Sequence, residues 1–275
     1  MWGPPVASFF PLVDRHTGIR LGVDLSSVDR CATVVVESER RLTAELSYGF
    51  VHALWWLWLE DGRSVTSVPP GVADAVRDIT EAARSRECLL NPATAERLRG
   101  RVDPALARLG LSTTSRVFRD RTFAFACNNS LLRRHAAGEC VRLTDSSVPP
   151  AEGLALPTHC FPDGVAYGVV ADGRVVCVAY AHRSGVMESQ VADLGVETAP
   201  EYRGRGYAKT AVSELVLHFI KARGEARYAC DPANTASIRT AVAVGFVPYG
   251  TSLVLAAAAT GDVAGGSLET VEPGA

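Results

Sequence analysis

Apolar positions cluster along this chain in short, separable runs. Residues 31–40 (Cys-Ala-Thr-Val-Val-Val-Glu-Ser-Glu-Arg) are rich in β-branched side chains and predict a strand. Trp55-Trp56-Leu57-Trp58-Leu59 and Ser64-Val65-Thr66-Ser67-Val68 flank the turn Glu60-Asp61-Gly62-Arg63, the pattern of a hairpin. Pro69-Pro70-Gly71 ends it, and residues 72–83 then carry helical spacing. Residues 92–136 read as helix and loop. Beyond them, Ser146-Ser147-Val148-Pro149-Pro150 punctuates a boundary between Gly138 and Pro157.

The pattern sharpens after that boundary. Residues 165–170 and 175–182 flank Ala171-Asp172-Gly173-Arg174 as a second hairpin, and 191–198 form a further strand. Residues 206–222 predict an amphipathic helix with Ala208, Val212, Leu215, Val216 and Phe219 on one face. A short strand at 227–230 and a helix at 237–244 closed by Gly245 follow. Residues 256–275 lack large apolar anchors and read as a flexible tail. The expected organisation is therefore a smaller α/β unit over 1–140, a second unit over 141–255, and the tail.

A chain of 275 residues with 47% hydrophobic and 21% charged positions can bury a substantial core. A net charge of −2 and a pI near 6.3 give no global pull towards DNA or an anionic membrane. The longest apolar run, 49–59, is interrupted by His52 and is too short to span a bilayer. The seven cysteines form no C-x-x-C pair, which suits a reducing compartment and a cytoplasmic protein without a structural metal. Trp56 and Trp58 share a strand face and read as core of the first unit. Between 97 and 134, arginines at 97, 99, 101, 108, 116, 119, 121, 133 and 134 outnumber Asp103 and Asp120; a locally paired surface is the favoured reading over a basic face.

Candidate chemistry concentrates in Glu201-Tyr202-Arg203-Gly204-Arg205-Gly206-Tyr207-Ala208, between the strand at 191–198 and the helix at 206–222. A glycine-rich turn that opens a helix offers unpaired backbone N–H groups and the positive end of the helix dipole, which together suit a pyrophosphate. No G-x-x-x-x-G-K-[ST] occurs, and a dinucleotide fingerprint started at Gly204 meets Lys209 where its third glycine belongs. The turn does fit [Q/R]-x-x-G-x-[G/A], through Arg203, Gly206 and Ala208. Tyr228 to Asn234, then Ser237, then Gly245-Phe246, follow in order.

Over roughly 115 residues, this series of elements resembles the Gcn5-related N-acetyltransferases. The resemblance implies a mixed sheet that splays between strands 191–198 and 227–230, with acetyl-CoA as co-substrate and no metal. Pantetheine would bond the backbone of Val196 and Thr198. The pyrophosphate would lie on Arg203, Gly204, Arg205, Gly206, Tyr207 and Ala208. Asn234, with Ser237, would reach the pantetheine arm, although a helix N-cap is an equal and compatible role for Asn234. The family's tyrosine acid falls at Ala241, so Tyr180 or Tyr249 would have to replace it. Asn-x-x-Ser and this alanine resemble the two-domain branch that includes zwittermicin-resistance-type acetyltransferases.

Direct attack of an amine on a thioester needs a base and an acid for the thiolate. Alternation along the strand sets Asp193, Gly195 and Glu197 on one face and Ala192, Leu194 and Val196 on the other. Each carboxylate could instead be a salt-bridged surface group. Glu197 ranks ahead as base because it lies nearer the splay, with Asp193 about 13 Å further back. A hairpin turning near Val186 would set Tyr180 opposite Asp193, with His182 one step on. The expected acceptor is a primary amine on a small molecule, possible antibiotics and natural products included, and the expected assembly a monomer or homodimer. An aminoacyl-tRNA donor or a non-catalytic acyl-CoA sensor are the alternatives.

Overall fold

A computed structural model of the chain describes residues 9–44, 50–113, 121–144, 148–156, 164–182, 185–187 and 189–259. The turn residues Ser146 and Ser147, the bases Arg116 and Arg119, Cys160 and the tail from 260 lie outside the described residues. The first half runs α1 (Pro11–Leu21), β1 (Thr33–Glu37), β2 (Val51–Leu59), β3 (Ser64–Val68), α2 (Ala73–Ala82), α3 (Glu87–Leu90), α4 (Pro92–Arg108), β4 (Leu111–Thr113) and β5 (Arg121–Cys127). The second runs β6 (Glu139–Arg142), β7 (Ala166–Ala171), β8 (Arg174–Ala181), β9 (Val191–Thr198), α5 (Tyr207–Lys221), β10 (Glu225–Cys230), α6 (Thr235–Val244) and β11 (Val247–Ala259).

These strands form one mixed, mostly antiparallel sheet in the order β1-β3-β2-β11-β5-β10-β9-β8-β7-β6, with β4 added beside β11. Only β1 with β3 and β9 with β10 pair in parallel among the described residues. Among the features that were not expected, two complete the middle of the sheet. Residues 121–127, within a stretch that reads as helix and loop, form β5, and it sits between β10 and β11. Its Phe123 and Phe125 point one way and Ala124 and Ala126 the other, so it is a fully sandwiched strand whose apolar run resembles a buried helix turn. The last strand also runs on to Ala259, because Ala256 to Ala259 pair through backbone with β2 and β4 and need no large side chains.

Register assigns each helix to a face. Leu194, Tyr228 and Phe125 are successive cross-strand partners and share a core with Val212, Leu215 and Val216 of α5 and Val244 of α6. Trp56 and Leu253 are partners and pack against α2 and α4 through Val76, Ile79, Leu98 and Val102. Leu253 also pairs with Arg121, an even number of steps from Phe123 and Phe125, so all four helices cover the same face. The opposite face is covered by α1, whose Val13 and Leu21 meet Trp55, Ala124, Ala126, Val191 and Val254.

The docking of α1 is unusually polar for a buried helix. The Glu225 carboxylate on β10 accepts the N–H groups of Leu12 (3.1 Å) and Val13 (2.8 Å), two of the donors that a helix start leaves open. Tyr249 on β11 donates to Asp14 (2.7 Å), and Arg20 bonds Asp193 on β9 (2.9 Å). At the far end Ser67 donates to the Leu21 carbonyl (2.6 Å). No helix among the described residues is long and apolar enough to cross a membrane.

Candidate functional site

The turn before α5 is built for a close backbone approach. Pro200–Tyr202 form a short 3-10 turn, and Gly204 and Gly206 follow with φ of +77° and +86°. Left-handed backbone at Gly206, the residue before the helix, lets α5 start without any side-chain cap, so its first N–H groups stay available. Arg203 and Arg205 are exposed on either side. Arg203 Nε donates to the Thr198 carbonyl (3.3 Å), while Arg205 bonds the Glu201 carbonyl (3.0 Å) and stacks over the Tyr202 ring at 5.0 Å. The loop from β5 to β6 flanks this turn: Ala137 N–H donates to Thr210 Oγ1 (2.9 Å), and a Cβ on Gly206 would stand 3.2 Å from Ala137 Cβ.

Strands β9 and β10 pair from Glu225↔Val191 to Tyr228↔Leu194 and then part. Beyond that rung β10 continues only with β5, through Ala229↔Ala124 and Cys230↔Phe123. On its other edge β9 stays paired with β8 as far as Thr198. His182 N–H donates to the Asp193 carbonyl (2.7 Å) and Ala199 N–H to the Val176 carbonyl (2.9 Å), so odd-numbered residues of β9 bond β8. By the alternation of antiparallel ladders, the backbone groups of Val196 and Thr198 therefore face the gap left by β10. The gap opens towards the turn that starts α5.

The catalytic candidates occupy the α1 face of β9, and each meets a different environment. Asp193 lies between Arg227 Nη1 (2.7 Å) and Arg20 Nη1 (2.9 Å), with its side chain 13% exposed. Burial alone would raise its pKa, but Arg227 and Arg20, helped by His16 and His182, hold the carboxyl well below the usual range. It is a counter-ion beneath α1. Glu197 is half-buried, forms no ion pair among the described residues, and has its pKa raised by desolvation. That environment suits a base.

Tyr180 is opposite Gly195, two residues from the expected partner Asp193, because Ala181 pairs with Leu194. The register thus centres the connection one residue further along than a turn near Val186 would. The tyrosine lies directly on the glycine: a Cβ at Gly195 would be 2.6 Å from Tyr180 Cζ and 2.7 Å from its Oη. Gly195 is the first residue of β9 beyond the last β10 rung, so this hydroxyl sits where the strands diverge. His182 meets the Tyr180 ring edge-on at 5.0 Å.

Asn234 caps α6 by accepting the Ser237 N–H (2.9 Å). Ala241 is fully buried among the α5–α6 core, and Tyr249 is spent on Asp14 beneath α1. Arginines at 99, 101 and 134 pair with Glu96, Asp78 and Glu214, the locally balanced surface expected of that segment. No group of His, Cys, Asp and Glu among the described residues has the arrangement of a metal site. Two surface cavities, lined by Tyr167 and His218 in one and by Asn129 and Arg223 in the other, lie along the C-terminal part of α5, away from its start. Neither touches the splay.

A sheet parted beside a glycine-opened helix is the arrangement of a Gcn5-related acetyltransferase domain. Residues 158–251 match the family model described as GNAT acetyltransferase. No curated protein matches the sequence. Among solved structures, a GNAT-family protein from Novosphingobium aromaticivorans is similar at 22% identity and a TM-score of 0.42, over 53% of this chain and 67% of that one. A GNAT-family acetyltransferase from Colwellia psychrerythraea is similar at 15% identity and a TM-score of 0.40, over 55% of this chain and 60% of that one. A GCN5-related N-acetyltransferase from Kribbella flavida is similar at 19% identity and a TM-score of 0.37, over 60% and 64%. The chain thus spans about two thirds or less of the length of these structures.

Proposed function

We propose that this protein transfers an acetyl group from acetyl-CoA to a primary amine of a small molecule. The reading is carried by the gap beyond the Leu194–Tyr228 rung, where no strand pairs with the backbone of Val196 and Thr198 on that edge, and which leads to the Arg203–Ala208 turn. In this reading the pantetheine arm takes the place of the departed strand and pairs with Val196 and Thr198. The pyrophosphate rests on the N–H groups from Gly204 to Ala208, with Arg203 and Arg205 as its counter-charges. Asn234 and Ser237 stand at the start of α6 on the other bank. Residues 141–255 carry the transfer, and α1 closes the acceptor side.

The acceptor nitrogen attacks the thioester carbonyl carbon, and its proton passes to Glu197, directly or through water. The carbonyl oxygen gains charge and accepts from the Val196 N–H. The C–S bond then breaks, and the Tyr180 hydroxyl, at the apex of the splay, protonates the leaving thiolate. Attack is direct, without an acyl-cysteine: Cys177, the thiol next to Thr198, is pushed up to about 12 by burial and is a poor nucleophile. The free cysteines suit work in a reducing compartment such as the cytoplasm.

The test is release of CoA thiol from acetyl-CoA against a panel of amines that includes antibiotics and related natural products, run with and without charged tRNA. Amine-dependent thiol release with transfer of label to the amine is expected. Tight acetyl-CoA binding with no turnover on any amine would favour a sensor, and turnover only with charged tRNA would favour the other donor.

A further inference from the structure

Asp193 and Arg227 face each other on the second-last rung of the β9–β10 ladder, and Tyr228↔Leu194 is the last. Past that point no backbone bond joins the two strands. The place from which they diverge is therefore held by the final ladder bonds and by whatever ties their side chains together. Here that tie is the 2.7 Å bridge between Asp193 and Arg227, and the second oxygen of Asp193 is taken by Arg20 from the last turn of α1. The side chains of all three residues are 13% exposed or less.

The cluster is braced from the N-terminal part of the chain as well. The guanidiniums of Arg20, Arg41 and Arg227 lie 4.9, 5.6 and 5.8 Å from the Trp55 ring. Trp55 Nε1 donates to Ser252 (3.1 Å), and Arg41 donates to the Arg20 carbonyl (2.5 Å) and the His52 carbonyl (3.2 Å). Each member is thus fixed by at least one group on another element, and Arg20 links α1 directly to Asp193. Glu197 lies four residues along the same strand face.

We propose that Arg20 is a positioning residue for the acyl-CoA cleft, acting through Asp193 and Arg227 to set where β9 and β10 part. A helix outside the acyl-CoA-binding half would then control the width of the pantetheine gap. The inference rests on the acetyl-CoA reading above and goes beyond it, since Arg20 lies on α1 and meets Asp193 on the paired side of the last rung.

Arg20→Met separates the two. It keeps the apolar stem, removes one positive charge and leaves Asp193 paired with Arg227. CoA binding is measured by calorimetry, and KM and kcat by thiol release, beside circular dichroism and thermal melting. The Met variant should bind CoA about tenfold more weakly and show the loss mainly in KM for acetyl-CoA, because misplacing a binding edge by a fraction of an ångström is enough. Arg20→Lys, which restores one charged donor to Asp193, should return the affinity to within about threefold. A lowered melting temperature with native CoA affinity and KM would show Arg20 to be merely structural and overturn the proposal. Should the Met variant prove unfolded, Arg20→Gln, a neutral donor, is judged by the same criteria. Failure of the native protein itself to bind CoA would overturn the acetyl-CoA reading, and this inference with it.

Discussion

Replacing Asp193 with Asn tests the electrostatics at the centre of the fold. The change is nearly isosteric, so packing is kept and only the charge goes. It leaves Arg20 and Arg227 as cations whose side chains are 9% and 7% exposed, without the carboxylate that both bond. Removing one partner from a buried ion pair costs about 3–5 kcal/mol, because the remaining charge is stranded. At roughly 2–4 °C per kcal/mol for a chain of this size, the melting temperature should fall by about 10 °C.

The pH dependence has a definite sign. Asp193 has a folded pKa below its unfolded value, so its contribution is present above the unfolded value of about 3.9 and is lost as pH falls from there towards the folded value. Denaturant titrations of native and Asp193→Asn protein should therefore show a gap at neutral pH that narrows as pH falls below about 4. A gap under about 1 kcal/mol at pH 7 would refute the claim that both guanidiniums depend on this carboxylate.

Three further changes probe the site. Gly206→Leu forces a side chain onto left-handed backbone at a modest cost in stability and obstructs the turn; acetyl-CoA affinity by calorimetry should drop at least about tenfold, and an unchanged value in folded protein removes the turn as the pyrophosphate site. Glu197→Gln should lower kcat about 10²–10⁴-fold with CoA binding intact. The native rate should rise with pH through a pKa above the usual glutamate value, and that rise should vanish in the variant; a native-like profile in Glu197→Gln excludes it as base. Gly195→Ala drives a methyl into the Tyr180 ring and should cut kcat at least about tenfold with near-native melting, whereas turnover within twofold would show that the hydroxyl's position does not matter.

What the sequence disclosed about this fold was its local part. Strand β9, the glycine turn, α5 and the Gly245 stop are each specified within a dozen residues by alternation, helical spacing and capping, and they lie where those patterns put them. The splay was legible only through family resemblance, because no residue type encodes the departure of one strand from another. Helix α1 was not legible at all. Its buried positions include Asp14, His16, Thr17 and Arg20, so it has no apolar stripe, and its partners Glu225, Tyr249 and Asp193 lie more than 170 residues away. For the same reason the sequence could rank Glu197 ahead of Asp193 only by its place along the strand, and not by the ion pairs that Asp193 makes beneath α1.

That difference bears on where acceptor selectivity resides. Strand β5 is contributed from before residue 140, yet it stands between β10 and β11 and bonds both, so the sheet that frames the splay is incomplete without it. Helix α1 covers the same sheet face that carries Glu197, Gly195 and Tyr180, and it is fastened to β9, β10 and β11 by one carboxylate or phenol apiece. In the proposed transfer, an amine approaching Glu197 would come across that face, past whatever α1 leaves open. The acyl-CoA side of that proposal would then rest on the local pattern from β9 to α6. In the same reading the acceptor side depends on residues remote in sequence, Asp193, Glu225 and Tyr249, which fasten α1 by buried polar contacts.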